Sequence, residues 1–274
     1  MFWTRLVSGI ILLAVAIAAM SLGGIPLILV LWAISLIAFR ELTKALKCAG
    51  GEKKLNCLEV LGLFGITGFY AAVFFSDGHT LQMMCVVGTF LAMMFAYVVT
   101  FPKFHANQAV AATFAFLYAP VLLSFVYQTR MCHNGIYMVW MILISSWGCD
   151  TCAYAVGMLF GKHKIFPVLS PKKSLEGCIG GVLGAGLIGW LYGYFFVNSV
   201  YPEGSVAWVI ALICAVGAVM SMVGDLAASA IKRNNEIKDY GTLIPGHGGI
   251  MDRFDSMIVT APMTYFLTIL MLVR

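Results

Sequence analysis

The feature that most constrains this chain is a series of nine continuous apolar runs, each about 17–25 residues long, the length of a membrane-spanning helix. They lie near residues 6–22, 25–43, 58–76, 81–100, 107–127, 135–160, 177–198, 205–231 and 250–272. Membrane β-strands are shorter and alternate apolar with polar residues. Of the 274 residues, 61% are hydrophobic and 11% are charged, too few charges to cover a soluble domain. We therefore expect an all-α, polytopic integral membrane protein with about nine transmembrane helices.

The basic residues predict how these helices are oriented. With a cytoplasmic N-terminus, nine spans place 15 of the 17 lysines and arginines on the cytoplasmic side. These 15 are Arg5, Lys103 and the basic residues of segments 40–57, 161–176 and 232–253. Because lysine and arginine are enriched in cytoplasmic loops, we predict a cytoplasmic N-terminus. The net charge of +5 then follows from these loops, and we expect no nucleic-acid partner.

The remaining composition favours one membrane domain. Five of the eight cysteines lie in or at the ends of apolar runs, as expected of small buried hydrophobic residues and not of a disulfide framework. A cleaved signal peptide is the alternative for the first run, but a second run follows after a very short turn, so we interpret it as an uncleaved span. We expect a single domain over residues 1–274, with N-terminal spans in 1–134 and the spans and loops of the site in 135–274.

Asp150 and Asp225 are acidic residues that fall inside apolar runs. A carboxylate at membrane depth costs at least about 2.5–3.5 kcal/mol, so Asp150 and Asp225 need a metal, a cation or water. Helical spacing places Ser221, Asp225, Ser229 and Lys232 on one face, which continues into Arg233. Such a stripe cannot face lipid. For Asp150, which we assign to substrate binding, an interhelical hydrogen bond remains an equal alternative.

Asp150 shares its face with Tyr154 and two glycines, Gly157 and Gly161. Glycines on one helix face let another helix approach closely, so they are explained by packing. Packing does not explain the carboxylate.

The segment 229–255 combines three kinds of groups that suit a phosphorylated ligand. Cations suit phosphates, carboxylates suit Mg²⁺, and glycines let backbone N–H groups close on an anion. The candidate residues are Ser229, Lys232, Arg233, Lys238, Asp239, His247, Gly248, Gly249, Arg253 and Asp255. We predict a metal–nucleotide or metal–diphosphate site. An ordinary basic loop with a glycine turn would explain the lysines, but not the aspartates.

A second basic loop, 161–177, is predicted on the same side of the membrane. Ser170 and Pro171 suit the N-cap and first residue of a helix, which would place Lys172 and Lys173 in its first turn. The helix dipole disfavours cations there unless an anion binds. A patch for acidic lipids is the alternative.

These residues together resemble the phosphatidate cytidylyltransferase, or CDP-diacylglycerol synthase, family. The resemblance lies in Ser229-x-x-Lys232-Arg233, Lys238-Asp239-x-Gly241, Pro245-x-His247-Gly248-Gly249-x-x-Asp252-Arg253-x-Asp255, Asp150…Ala153-Tyr154…Gly157 and Ser170-Pro171-Lys172-Lys173-Ser174-x-Glu176-Gly177. Over the first 135 residues it is only general, with an Arg40-Glu41 pair among apolar spans.

The resemblance implies the reaction of CTP with phosphatidate, giving CDP-diacylglycerol and diphosphate on the cytoplasmic side of the membrane. It implies Mg²⁺, with K⁺ proposed beside it, and metal ligation by Asp225 and Asp239. Ser229, Lys232, Arg233 and Lys238 would meet phosphates, and His247, Arg253 and Asp255 would complete the site with Lys172 and Lys173. The expected partners are both substrates, the bilayer, which we take to be a bacterial inner membrane, and a second copy in a homodimer. A CTP-dependent polyprenol kinase and an ion-coupled transporter are the alternatives.

Overall fold

The computed structural model of the chain describes residues 2–48, 55–76, 78–201, 204–244 and 248–272, with side chains from residue 7 onward. The described residues form nine helical spans: α1 (Phe2–Leu22), α2 (Gly24–Ala45), α3 (Cys57–Phe75), α4 (His79–Val99), α5 (Ala106–Met131), α6 (Gly135–Phe160), α7 (Leu175–Val200), α8 (Ala207–Asn234) and α9 (Met251–Met271). Helices α2 to α9 are long and apolar enough to cross a membrane, and α1 contributes a shorter apolar segment, Val7–Leu22. The predicted all-α polytopic fold is confirmed. All eight cysteines are free thiols in this structure.

Local sequence explains two of the helix boundaries. Gly23 has φ +66°, in the left-handed region, and α2 starts at the next residue after α1 ends at Leu22. Asn56 and Glu59 form a capping box at the start of α3, in which each side chain accepts a hydrogen bond from the other residue's backbone N–H, at 2.8 and 3.1 Å.

Three long helices each contain one wide π turn. These turns lie at Leu117–Val121 in α5, Ile144–Gly148 in α6 and Gly193–Val197 in α7. Pro120 explains the first turn, because proline has no N–H to donate within the helix.

The backbone contacts divide the chain into two compact units, Met1–Ser124 with Asn234–Arg253, and Phe125–Arg233 with Phe254–Arg274. In the first unit, the ring of Phe39 packs against Gly62, where a Cβ would overlap it. Glu59 is 2% exposed and accepts hydrogen bonds from Arg40 Nη1 at 2.6 Å and Thr43 Oγ1 at 2.9 Å. A buried carboxylate thus links α2 to α3.

The second unit depends on close contact between α6 and α7. A Cβ on Gly177 would lie 2.9 Å from the carbonyl oxygen of Ala153, and one on Gly180 would lie 2.5 Å from Val156. A Cβ on Gly157 would lie 3.6 Å from Gly177 Cα. The closest approach thus depends on Gly177 and Gly180 of α7, and Gly157 of α6 lies in contact with Gly177.

Candidate active site

Lys173 and Asp225 form an ion pair in the second unit. Lys173 lies two residues before α7, and its Nζ is 2.5 Å from Oδ2 of Asp225 in α8. The exposed fractions of the two side chains are 21% and 31%, so both are partly removed from water. The pair ties the loop before α7 to the middle of the predicted polar stripe on α8.

Two further carboxylates lie near this pair. Asp150 of α6 and Asp255 of α9 both interact electrostatically with Asp225. Asp255 is 8% exposed. The three aspartates together with Lys173 are termed the acidic cluster. Lys232 also interacts with Asp255, so two ammonium groups lie among three carboxyl groups.

Glycine brings two of these carboxylates together. A Cβ on Gly224 would lie 2.7 Å from the carbonyl oxygen of Asp255, so α8 and α9 approach closely beside Asp225 and Asp255. A larger residue at this position would separate the two helices.

The polar stripe predicted on α8 faces the protein interior. Ser221 is fully buried, and Asp225, Ser229 and Lys232 are partly buried, whereas Val223 on the opposite side is exposed. The Oγ of Ser221 has no hydrogen-bond partner among the described residues. That the stripe does not face lipid stays a prediction.

A cavity of about 450 Å³ lies beside the acidic cluster. Its polar lining comes from Asp150, Lys164, Lys172 and Lys173, and its apolar lining includes Ala153, Met158, Cys178 and Met222. Lys164 Nζ donates a hydrogen bond to the carbonyl oxygen of Lys172 at 3.1 Å. A ligand in this cavity would meet charged groups on one part of its surface and hydrocarbon on another.

The prediction that Ser170 and Pro171 begin a helix is wrong. Helix α7 begins at Leu175, and its N-cap is Ser174, whose Oγ accepts a hydrogen bond from the N–H of Gly177 at 3.2 Å. The backbone N–H of Leu175 donates to the carbonyl oxygen of His163 at 2.8 Å, which fixes where the helix starts.

Lys172 and Lys173 therefore precede the helix. The N–H of Lys173 closes a turn on the carbonyl oxygen of Ser170 at 3.1 Å. The predicted arrangement, in which the helix dipole opposes two lysines in the first turn, therefore does not occur. The positive charge of Lys173 is instead matched by Asp225.

The loop after α8 carries the other predicted residues. Arg233, at the end of α8, is exposed, as are Lys238 and Asp239, while Arg253 in the first turn of α9 is partly buried. His247 lies outside the described residues. Asp239 belongs to the first unit and Asp225 to the second.

Asp252 closes this loop on itself. Its Oδ2 accepts hydrogen bonds from the backbone N–H groups of Tyr240 at 2.8 Å and Gly249 at 3.0 Å. Gly248 has φ +83°, which favours glycine, and its carbonyl oxygen accepts from the N–H of Ile244 at 2.9 Å. The N–H of Gly249, predicted to close on an anion, is thus already bound to a carboxylate of the protein.

Sequence reasoning missed Glu41 of α2. Its side chain accepts hydrogen bonds from the backbone N–H groups of Ile250 at 3.1 Å and Met251 at 2.8 Å. The residue is 8% exposed, and its partners lie 209 and 210 positions later in the chain. The Arg40-Glu41 pair was a weak signal, and nothing in its local pattern indicates the contact.

The acidic cluster fits Mg²⁺ by the chemistry of its donors. Within the described residues, no three His, Cys, Asp or Glu side chains converge to form a complete metal site. Mg²⁺ in nucleotide sites uses one or two carboxylates and completes its shell with water and substrate phosphates. The oxygen donors of three neighbouring carboxyl groups suit this mode of binding.

Comparison with known proteins supports the resemblance seen in the sequence. Residues 3–271 match the sequence model of the cytidylyltransferase family. The phosphatidate cytidylyltransferase of Staphylococcus haemolyticus is 29% identical over 274 residues, covering 97% of this chain and 99% of the relative. That of Staphylococcus epidermidis is 30% identical over 273 residues, with 97% and 98% covered. The Staphylococcus aureus protein of the same name is 29% identical over 269 residues, with 97% and 98% covered. The similarity extends over both units and is not confined to one motif, and the chain therefore belongs to the cytidylyltransferase family of membrane nucleotidyltransferases.

Proposed function

We propose that this enzyme transfers the cytidylyl group of CTP to phosphatidate at the acidic cluster, giving CDP-diacylglycerol and diphosphate. The observation that carries this proposal is the Lys173–Asp225 pair at a cavity with both cationic and apolar lining. Phosphatidate has the same two parts, a charged phosphate and hydrocarbon chains. The full-length similarity to phosphatidate cytidylyltransferases supports the same substrates.

In the proposed reaction, a phosphate oxygen of phosphatidate forms a bond to the α-phosphorus of CTP. The bond from the α-phosphorus to the oxygen that bridges to the β-phosphorus breaks, and diphosphate leaves with the electron pair. The attacking phosphate is already an anion near pH 7, so the reaction requires no strong general base. This agrees with a site built from cations and carboxylates.

The main task of the protein side chains is to bring two polyanions together. Lys164, Lys172 and Lys173 line one cavity, where their positive charges would reduce the repulsion between the substrates. Lys173 is oriented by Asp225, which restricts the ammonium group to one part of that cavity. Oriented charges stabilise a charged transition state better than mobile ones, because they need not reorganise during the reaction.

The apolar part of the cavity suits the lipid. Tyr154 and Met158 line it and are exposed on the surface of α6. In a bilayer, these side chains would contact acyl chains while the phosphate reaches the lysines. Phosphatidate would thus enter sideways from the membrane.

We propose Asp225 and Asp239 as the ligands of Mg²⁺, with Asp150 and Asp255 as neighbouring carboxylates and a K⁺ beside the site. Bound Mg²⁺ would neutralise phosphate charge and stabilise the departing diphosphate. Ser229, Lys232, Arg233, Lys238, His247 and Arg253 would meet the phosphates. We also propose that these residues face the cytoplasm of a bacterial inner membrane, as 15 of the 17 basic residues then lie on that side.

A labelling experiment tests the reaction. The purified protein is incubated in detergent micelles with Mg²⁺, phosphatidate and CTP that carries the label on either its α- or its γ-phosphate. Cytidylyl transfer puts the α-label into lipid and the γ-label into diphosphate. A CTP-dependent kinase given a polyprenol would put the γ-label into lipid, and a transporter would put neither there. Retention of full activity by Asp225→Asn would exclude the acidic cluster as the site.

A further inference from the structure

We propose that Glu41 is a positioning residue of this enzyme, which holds the turn 248–252 so that the loop after α8 can bind CTP. The inference rests on the proposed function, because one of its tests measures the KM for CTP. The geometry that supports it is independent of substrate, because it lies entirely in the first unit.

The carboxylate of Glu41 holds two successive backbone groups. Oε1 accepts from the N–H of Ile250 at 3.1 Å, and Oε2 accepts from the N–H of Met251 at 2.8 Å. Since each oxygen takes a different amide, the side chain fixes two consecutive peptide planes. Glu41 is itself buried in α2, so it provides a fixed support.

Two glycines of the loop leave room for this carboxylate. A Cβ on Gly249 would lie 2.5 Å from both oxygens of Glu41, and a Cβ on Gly241 would overlap Oε1. Neither glycine has a positive φ, so the backbone conformation does not require glycine at these two places. Glycine is required there because Glu41 occupies the space that a Cβ would fill. Both ends of the loop are thus fitted to a residue of α2.

Glu41 also decides how this loop can bind an anion. The N–H groups of the first turn of a helix attract negative charge, and a phosphate is often found there. In this chain, Glu41 and Asp252 occupy the N–H groups of Gly249, Ile250 and Met251. We infer that the loop binds phosphates through its cationic side chains, while the two carboxylates fix the backbone that carries them.

The first test compares Glu41→Gln with Glu59→Gln. Glutamine keeps the shape of Glu41 but presents an NH₂ group to one backbone N–H. We expect the apparent KM for CTP to rise about tenfold, as expected for loss of one hydrogen bond to a charged group, while the KM for phosphatidate changes less than about twofold. Glu59 is a matched control, because it is also buried in the same unit but contacts Arg40, Thr43 and Asn56 instead of the loop.

A structural role alone would lower the amount of folded enzyme in both variants without raising the KM for CTP. Hydrogen exchange of the peptide 240–252 gives a readout that does not depend on activity. It should accelerate in Glu41→Gln and not in Glu59→Gln. If wild type makes no CDP-diacylglycerol but exchange responds as expected, the proposed function fails and the role of Glu41 in holding the loop stands.

Gly241→Ala, which leaves Glu41 in place, covers the case in which Glu41→Gln does not fold, and a double-mutant cycle with Glu41→Ala tests the coupling of the two positions. Gly241→Ala introduces a methyl group at the position of Glu41 Oε1, so it should accelerate exchange in the peptide and raise the KM for CTP. In the Glu41→Ala background, the same methyl group has room and should add less than about a twofold change. Equal effects of Gly241→Ala in both backgrounds, or a normal KM for CTP with normal exchange in Glu41→Gln, would overturn the inference.

Discussion

Separation of Lys173 from Asp225 gives a quantitative test of the acidic cluster. The 2.5 Å pair is 21% and 31% exposed, which places it between a surface salt bridge worth about 0–1 kcal/mol and a buried one whose disruption costs about 3–5 kcal/mol. We expect Lys173→Gln to lower the free energy of unfolding by about 2–3 kcal/mol, because Asp225 then loses its ion-pair partner and Asp150 loses a nearby cation. Asp225→Asn also breaks the pair but relieves repulsion with Asp150 and Asp255, so it should cost only about 0–1 kcal/mol.

The assay is denaturant unfolding in mixed micelles, followed by tryptophan fluorescence, for both single variants and the double variant. The double variant should be more stable than the sum of the single losses predicts, by about 1–2 kcal/mol. Lys172→Gln is the control, since the side chain of Lys172 is exposed and has no ion pair among the described residues. It should change stability by less than about 0.5 kcal/mol.

Two results would refute the reasoning. If Asp225→Asn destabilised the protein more than Lys173→Gln, relief of the repulsion with Asp150 and Asp255 would not offset the loss of the ion pair. If the single effects added within about 0.5 kcal/mol, the pair would not contribute to stability. A further check is that Mg²⁺ should restore part of the stability lost in Lys173→Gln, as it can replace the missing positive charge.

Other variants test the metal ligands, the topology and the helix packing. Asp225→Asn and Asp239→Asn should each lower turnover at least about a hundredfold at low Mg²⁺ in folded protein, because a neutral amide is a poor ligand; substantial activity would remove that residue from the metal site. Cysteines added to the loop 161–174 should resist an impermeant thiol reagent in intact cells, whereas strong labelling would overturn the predicted orientation. Gly177→Leu should destabilise α6–α7 packing by more than about 2 kcal/mol in thermal unfolding, and Gly68→Ala, with open space around its Cβ, should have little effect; equal Tm values would contradict the close approach of the helices.

The helices could be predicted from the sequence because one local property decides them. A run of apolar residues of the right length has few alternatives in a bilayer, so the nine predicted spans agree with the nine helices to within a few residues. The polar stripe from Ser221 to Lys232 could be predicted equally well, since helical spacing fixes which residues share a face.

The start of α7 was mispredicted for a reason that lies outside local sequence. Ser170 followed by Pro171 suits an N-cap and first residue as well as Ser174 does. The bridge between Lys164 and Ser174 and the hydrogen bond from Leu175 to His163 select the later start. These contacts depend on how the loop folds back on itself, which the pattern of residues does not reveal.

The contact of Glu41 with the loop was not predictable either. Its partners are backbone N–H groups, which every residue except proline possesses, so no side-chain pattern marks them. The glycines of segment 229–255, among them Gly241 and Gly249, predict backbone N–H groups that close on an anion. The structure shows that the anion at these glycines is a side chain of the protein itself.

The distance of Glu41 from its partners along the chain also has a consequence during synthesis. At about 5–20 residues per second, a ribosome needs roughly 10–40 seconds to proceed from Glu41 to Ile250. For that interval, α2 carries a carboxylate whose two amide donors do not yet exist, and an unsatisfied charge in an apolar environment is costly. The loop can therefore reach its final conformation only after nearly the whole chain has been made. A nascent chain would acquire the loop conformation late, as one of the last steps of its assembly.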